Sequence, residues 1–526
     1  MKNRTIPRCF VHVLLLTVPV GISAQPSTFN SVFYDLSGWT HGYGVVQSAD
    51  SGYFIAGEKD GDALIVKMNS AGVSLWEKKY SFPGSSATFF RIITTQDDNL
   101  IAVGELDFGY PGRDLLCMKL TPAGDTLWSR YIDFGYSEYA TYVQETSDQG
   151  CIISGICVAG YSDSPALFIK LDPAGNILWA NTILGATCTE LHSVKEAPDH
   201  GFYGIGKMEN SPGWEEMAIL VRLEQTGSVA WAKRLSSNAL YASGYDVSVT
   251  ESGLLCLIEY TYGTLLVKTD FSGNVEWTKK YPVSSNWSLF GDGQMSKLHP
   301  TSDAGYIFVT TGQFGNILKL DSIGVVDWAA NLFLESMDVI ETLDHGYLIV
   351  GNGPIMGVEL YPTGNPQIGL IKTDSLGNAI SCVDPIWIEP DTVSAAFIPV
   401  SLGTSGGHAI TDLHPILSDA SLSLHTGCVA STGGLDERQD GNRILQVLPN
   451  PASGIVQIGS GPAETVLSSL ELYNSTGRCV YHRNDLIKLP VQIDFSDLPD
   501  GLYYLSGASD GNSYSGKLIL HREKGP

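Results

Sequence analysis

Seven basic side chains recur at one offset in this sequence: Lys67, Lys119, Lys170, Arg222, Lys268, Lys319 and Lys372 each end an apolar run five residues before a glycine. Gathered on an axis, they would focus anions. Snorkelling at sheet edges, or paired with turn carboxylates, they would be structural. Asp60-Gly61-Asp62, with Glu58 close by, clusters oxygens of the kind calcium takes. The spacing is not that of a calcium loop and Asp-Gly pairs are ordinary turn residues, so no metal is assigned there. His408, Asp412, His414, His425 and Cys428 are ligand types without a standard metal spacing. Trp214 and Trp287 stand in two of four long insertions, at residues 110–114, 208–216, 284–293 and 353–367. They are the candidate ligand-binding residues, able to stack on sugar rings or peptide side chains, or equally to cover the rim of the core. With no His-Glu-x-x-His and no phosphate loop, no catalytic residue and no cofactor is assigned. Abundant carboxylates keep a hydrolase or lyase open.

What must hold these side chains is a repeated unit, clearest at Lys170-Leu171-Asp172-Pro173-Ala174-Gly175-Asn176-Ile177-Leu178-Trp179. Asp172 suits the first position of a type I turn, Pro173 presets φ at the second, and Gly175 tolerates φ > 0 at the fourth. Together they predict a hairpin with a glycine bulge. The same glycine precedes a tryptophan by four residues at Gly72/Trp76, Gly124/Trp128, Gly175/Trp179, Gly227/Trp231, Gly273/Trp277 and Gly324/Trp328. A seventh, Gly377, has Ser381 in the tryptophan place.

Each period also holds an acidic turn: Asp50-Ser51-Gly52, Asp98-Asn99-Leu100, Asp148-Gln149-Gly150, Asp199-His200-Gly201, Glu251-Ser252-Gly253, Asp303-Ala304-Gly305 and Asp344-His345-Gly346. Asn99 replaces glycine in one copy, as the next best residue at φ > 0. Two hairpins per period join four short strands in about 50 residues, the signature of a propeller blade. The spacing predicts an all-β fold with a seven-bladed β-propeller over residues 25–383. The tryptophans are expected between blades, and Phe29 to Asp35 beside the weakened seventh.

The acidic turn with Gly-Tyr-x-Ile, Ile-Val-Lys-x-Asp and Gly-x-x-x-Trp resembles the tandem propeller repeats of secreted Bacteroidetes proteins, a family mostly without known activity. The resemblance covers about two thirds of the chain and implies fold, not ligand. The glycine-to-tryptophan spacing is also similar to that of quinoprotein propellers, whose enzymes use a vicinal disulfide over the cofactor. This sequence has no Cys-Cys dipeptide, so no quinone is assigned.

Lys2, Arg4 and Arg8, an apolar run from Phe10 to Val20, and Gly21-Ile22-Ser23-Ala24 describe a signal peptide over residues 1–24, cut between Ala24 and Gln25. The run is far short of the ~20 residues a bilayer needs, and no transmembrane segment is expected. Cleavage takes the net charge from −25 to −28, which disfavours nucleic acid and anionic membranes as partners. Cys117, Cys151 and Cys157 lie in apolar runs and read as buried thiols. Residues 384–443 break the period and read as a Ser/Thr/Gly/Pro-rich connector. A Cys382–Cys428 disulfide would constrain the unfolded chain by roughly 3 to 4 kcal/mol.

Residues 444–526 alternate short strands with turns, which predicts a small Ig-like β-sandwich. Pro449-Asn450-Pro451, Gly501-Leu502-Tyr503 and Gly516-Lys517-Leu518-Ile519 closely resemble, in order, the type A C-terminal sorting domain of the type IX secretion system. The resemblance implies the type IX machinery as partner, passage across the outer membrane, and release or attachment at the surface. Asp125-Thr126-Leu127, Asp321-Ser322-Ile323, Asp374-Ser375-Leu376 and Asp391-Thr392-Val393 resemble O-glycosylation sites of Bacteroidetes exported proteins, although three of them sit in repeat turns. The whole reads as a secreted or cell-surface propeller that binds or scaffolds an extracellular glycan or protein. The alternative is a secreted hydrolase or lyase with carboxylates on one propeller face.

Overall fold

The computed structural model describes residues 28–34, 39–109, 112–158, 164–184, 188–210, 215–236, 241–260, 263–283, 296–310, 315–332, 334–353 and 367–379. It further describes residues 383–386, 388, 391–392, 396–400, 403–405, 409–412, 416–419, 423–426, 445–448, 455–459, 466–474, 479–484, 486–499, 501–509 and 512–520. Their regular elements are all strands.

The third repeat shows how one blade forms. Ser137–Glu145, Cys151–Val158, Ala166–Leu171 and Ile177–Leu184 pair antiparallel in chain order. The last hairpin is the one the sequence predicts: Gly175 takes φ 79° and donates its N–H to the Asp172 carbonyl at 3.0 Å. The register then slips by one residue after Lys170, as a bulge requires.

The inner strands of the repeats are Thr40–Gln47, Ser86–Thr94, Ser137–Glu145, Cys188–Glu196, Ala242–Thr250, Lys297–Pro300 and Glu335–Glu341. Each touches the inner strands of both neighbours, and the last touches the first. The result is a closed seven-bladed β-propeller. A four-stranded sheet cannot bury both faces alone, so the core lies between blades: Phe54, Ala56 and Ile65 of the first blade pack with Phe89, Leu116 and Met118 of the second.

Phe29–Tyr34 closes the ring as the fourth strand of the seventh blade, beside Gln367–Thr373. Phe29 stands opposite Lys372, as Trp76 stands opposite Lys67 and Trp328 opposite Lys319. Each tryptophan lies over the hairpin glycine of the next blade, so closely that a Cβ on Gly124 would come within 2.8 Å of Trp76. Phe29 takes the same post over Gly72, where a Cβ would come within 2.7 Å of its ring. The seventh interlock thus comes from the far end of the chain.

The segment read from its composition as a connector does more than connect. Val383–Ile386, Asp391–Thr392, Ala396–Val400, Gly403–Ser405, Ala409–Asp412, Ile416–Asp419 and Ser423–Thr426 pair, in that order, with the outer strands of the sixth, fifth, fourth, third, second, first and seventh blades. The chain runs once around the ring and then back as a girdle, giving every blade a fifth antiparallel strand. Outer edges left bare would be templates for pairing with other chains, and the girdle covers them.

The C-terminal strands form a small β-sandwich. One sheet orders Cys479–Arg483, Ser469–Asn474, Gly501–Ser509 and Asn512–Leu520, and another orders Gln446–Leu448, Ile455–Gly459 and Val491–Asp494. Alternate residues, among them Leu470, Leu472, Tyr503, Leu505, Leu518 and Leu520, fill its core.

Candidate functional site

The seven bases do not converge on the axis. Lys67, Lys119, Lys170, Arg222, Lys319 and Lys372 each clamp the aspartate of their own blade's acidic turn, at 2.7, 2.8, 2.8, 2.5, 2.7 and 3.0 Å from Asp50, Asp97, Asp148, Asp199, Asp303 and Asp344. In the fifth blade Lys268 meets Glu276 on the neighbouring strand instead, at 3.6 Å. In the second blade the acceptor is Asp97, not Asp98; Asp98 takes φ 59°, as Ser51, Gln149, His200, Ala304 and His345 do at values between 61° and 65° in other copies. In those copies the turn glycine is therefore not there for φ > 0; in the fifth blade Gly253 takes φ 153°. A Cβ on Gly150 would sit 2.1 Å from the Leu171 carbonyl and 2.7 Å from the Lys170 ammonium, so glycine makes room for the buried base.

Burial pushes the six clamped aspartates up, but hydrogen bonds from the base and the turn outweigh it. Asp50 and Asp303 are held at about 2, and Asp97, Asp148, Asp199 and Asp344 below the ordinary carboxylate value. A folded-state pKa below the unfolded one adds stability that is complete above about pH 4 and is lost as pH falls through the folded value. Calorimetric Tm is expected to drop steeply between about pH 4 and pH 2, with a shallower limb in Asp303→Asn. A Tm unchanged across that interval would refute the clamps as a source of stability.

Of the residues singled out in the sequence, Trp214, Trp287, Cys382, Cys428, Pro449, Asn450, Pro451, Ala24 and Gln25 lie outside the described residues. Gly501, Tyr503, Gly516 and Lys517 fall on two adjacent sandwich strands, with Leu505 opposite Gly516 and Tyr504 opposite Lys517. Buried Tyr503 donates its hydroxyl to the Pro499 carbonyl at 2.7 Å. Glu58, Asp60 and Asp62 each have a partner of their own: His41 at 2.9 Å, the Trp39 N–H at 3.1 Å and Lys79 at 2.6 Å. Cys117, Cys151 and Cys157 are buried thiols. The spacing Gly-x-Ser-x-Gly occurs at Gly403 to Gly407 and Gly507 to Gly511. Both serines end β-strands, not the strand-to-helix turn a nucleophile elbow needs.

Antiparallel pairing puts the junctions between second and third strands and between successive blades at one end of the ring, and the described strands flanking all four insertions meet them at that end. There, six blades contribute a directly opposed pair at the same register: His41/Glu58, Thr88/Glu105, Tyr139/Ile156, Glu190/Lys207, Ser243/Glu259 and Glu335/Asn352. Five of the six pairs are polar. Glu58 accepts from Thr88 across the seam at 2.7 Å, and Lys207 lies 3.4 Å from Glu190, 3.7 Å from Glu209 and 3.4 Å from Glu216. Ser243 of the next blade donates to Glu216 at 3.2 Å. Sequence reasoning missed this ring. Its trace is a recurrent glycine before the polar residue, at Gly57, Gly104, Gly206 and Gly351, where a Cβ would come within 2.1 Å of the opposite strand's carbonyl.

One step deeper, each of these inner strands bulges, and the extra residues pack as a floor. Tyr43 meets Phe90 edge-on at 5.2 Å, Phe90 meets Tyr139 at 6.1 Å, Met337 joins them, and His192 stacks on Tyr245 at 5.1 Å. The polar ring stacked over this floor is a cup-like arrangement of side chains, most of them buried. Burial works against the charge of Glu190, but His192 and Lys207 prevail and hold it at about 2; His41 and Thr88 likewise hold Glu58 below its ordinary value. Burial opposes the Lys207 charge too, and Glu190 and Glu216 overcome it.

Beneath the floor the next register level places Arg91, Tyr142, Ser193, Asp246, Lys297 and Asp338 around the axis. Asp246 accepts from Ser193 at 2.6 Å and from the Leu298 N–H at 3.1 Å; Asp338 accepts from the Val45 N–H at 3.2 Å. These bonds tie the inner strands across seams. Burial and the charge of Arg91 push Lys297 down to about 7.

Fold and site together define an all-β propeller with an axial polar cup and a C-terminal sandwich. Residues 446–521 match the family model of the secretion system C-terminal sorting domain. That tail marks the chain for the type IX secretion machinery, and the protein is secreted or attached to the outer cell surface. No curated protein matches the chain. Among solved structures it is similar to a protein of unknown function from Bacteroides caccae, with 11% identity, 56% of this chain and 94% of that chain covered, and TM-score 0.33. It is also similar to a structure titled as the eukaryotic initiation factor, with 10% identity, 70% and 98% covered, and TM-score 0.30. Likenesses this distant bear on neither fold nor function. Among the described residues, no helix is long and apolar enough to cross a membrane.

Proposed function

We propose that the protein is an exported recognition module whose propeller takes an extracellular glycan in the axial cup. The observation that carries this reading is the ring of polar pairs at one register above an aromatic floor. Carboxylates accept hydrogen bonds from sugar hydroxyls, and ring faces stack on sugar C–H surfaces. The insertions with Trp214 and Trp287 belong to the same end and would extend the surface. Glu58 and Glu190 are held ionised, so they serve as acceptors and not as the proton donor that glycoside cleavage needs. The same reading takes residues 1–24 as a signal peptide and the source as a bacterium of the Bacteroidetes.

The test is glycan-array and polysaccharide pulldown binding of the full chain, with released sugars assayed in the same samples. Binding without product is expected, weakened at least about tenfold in the Glu58→Gln/Glu190→Gln double variant, as loss of charged hydrogen bonds implies. Unchanged binding in that variant would remove the cup from the reading. Product release would favour the alternative, a hydrolase or lyase with carboxylates on one propeller face, and would direct mutagenesis to those carboxylates.

A further inference from the structure

Asp114 lies in the third strand of the second blade (Arg113–Leu120), Asp133 ends its fourth (Thr126–Asp133), and Glu138 lies in the inner strand of the third blade (Ser137–Glu145). Antiparallel pairing brings all three to one end of the same seam. One carboxylate oxygen of each lies within 4.8 Å of those of the other two. Asp114 and Glu138 are buried, at 8% and 0% exposed, and Asp133 is half-buried. Among the described residues, no lysine or arginine pairs with any of the three. Glu138 accepts the Tyr136 N–H at 2.7 Å on Oε1, while its Oε2 is buried with no hydrogen-bond partner.

Other blades show what this seam lacks. The residue equivalent to Asp114 in the first blade is Asp62, which Lys79 neutralises at 2.6 Å; the place of Lys79 is held in the second blade by Tyr131. At the seam between the seventh and first blades the places of Asp114 and Glu138 are held by Gln367 and Thr40, hydrogen-bonded to each other at 3.1 Å. The place of Glu138 is Ala87, Thr189 and Ala242 in the second, fourth and fifth blades. Among the described residues, only this seam puts a third carboxylate, fully buried, against two others.

We propose that this seam binds a divalent cation of the calcium class, held by Asp114, Asp133 and Glu138 with water completing the shell. The donor set is all oxygen, which suits a hard cation and not zinc. Calcium takes oxygens at roughly 2.3–2.6 Å, so two of its ligands lie at most ~5 Å apart, the span this cluster has. The ion staples the second blade to the third and replaces the lysine that the first blade uses.

The full chain, stripped with EDTA, is titrated with calcium chloride at pH 7.5 by calorimetry, and its Tm is read with and without the ion. A saturable heat is expected, together with a Tm rise of about 2 to 3 °C at a hundredfold excess over Kd. Glu138→Gln is expected to lose both responses while its Tm in EDTA equals or exceeds that of the native chain, because the substitution removes a charge that two neighbours repel. Asp114→Asn serves as the second variant and should behave the same way. No calcium response in the native chain, or the same response in both variants, would overturn the site.

Discussion

Gly150→Ala is expected to destabilise the propeller by about 3 kcal/mol, the upper part of the range for overpacking. The reason is space and not backbone freedom, since the left-handed residue of this turn is Gln149 at φ 64°. The added methyl would meet the Leu171 carbonyl at 2.1 Å and the Lys170 ammonium at 2.7 Å. The carbonyl belongs to a sheet and cannot retreat without breaking its register. The ammonium could retreat only by leaving Asp148 at 2.8 Å and the Leu171 carbonyl at 3.0 Å, and a buried cation without partners is costly. The second blade offers the control: Asn99 already fills the equivalent place, so Asn99→Gly should move the urea midpoint little. A midpoint for Gly150→Ala within about 0.5 kcal/mol of the native chain would show that the clamp tolerates a side chain there.

Phe29→Ala should cost a similar amount, about 3 to 4 kcal/mol, as truncation of a buried phenylalanine does elsewhere. It removes the ring that covers Gly72 and that approaches Tyr53 at 6.3 Å, and with it the one interlock that joins the two ends of the propeller sequence. Phe29→Trp restores the residue used at the other six seams and should keep most of the native stability. If Phe29→Ala unfolds at the native denaturant midpoint, closure does not depend on this ring, and the burden falls on the backbone pairing of Phe29–Tyr34 with its two neighbours.

What could be read in the sequence was whatever a local rule imposes on single residues. Gly175 and Asp172 betray their hairpin because a left-handed φ and a side-chain acceptor demand those types. Six tryptophans betray the seams because the same pocket recurs every blade. Phe29 was legible as a strand resembling those around the tryptophans, and the structure adds which residue it replaces. The acidic-turn glycine was noticed for the wrong reason, since crowding by a side chain twenty residues away leaves no local mark.

The girdle was illegible. Its strands are two to five residues long and attach by backbone hydrogen bonds to edges, which need no alternation of apolar and polar residues. Composition alone therefore made them a connector. The cup and the carboxylate triad escaped for a related reason: each repeat contributes one or two ordinary residues, such as Glu190, Asp114 or Glu138, and only the closed ring assembles them.

The return path of the chain has a consequence for survival outside the cell. Each of the seven seams is crossed twice by covalent bonds, once where one blade hands over to the next and once where residues 383–426 travel back. A protease that severs the polypeptide at one point between blades therefore leaves two fragments, and a girdle strand of one still pairs with a blade of the other across the cut seam. The fragments part only when that strand pairing breaks along with the packing of the seam, so resistance to digestion draws on the girdle as well as on the blades.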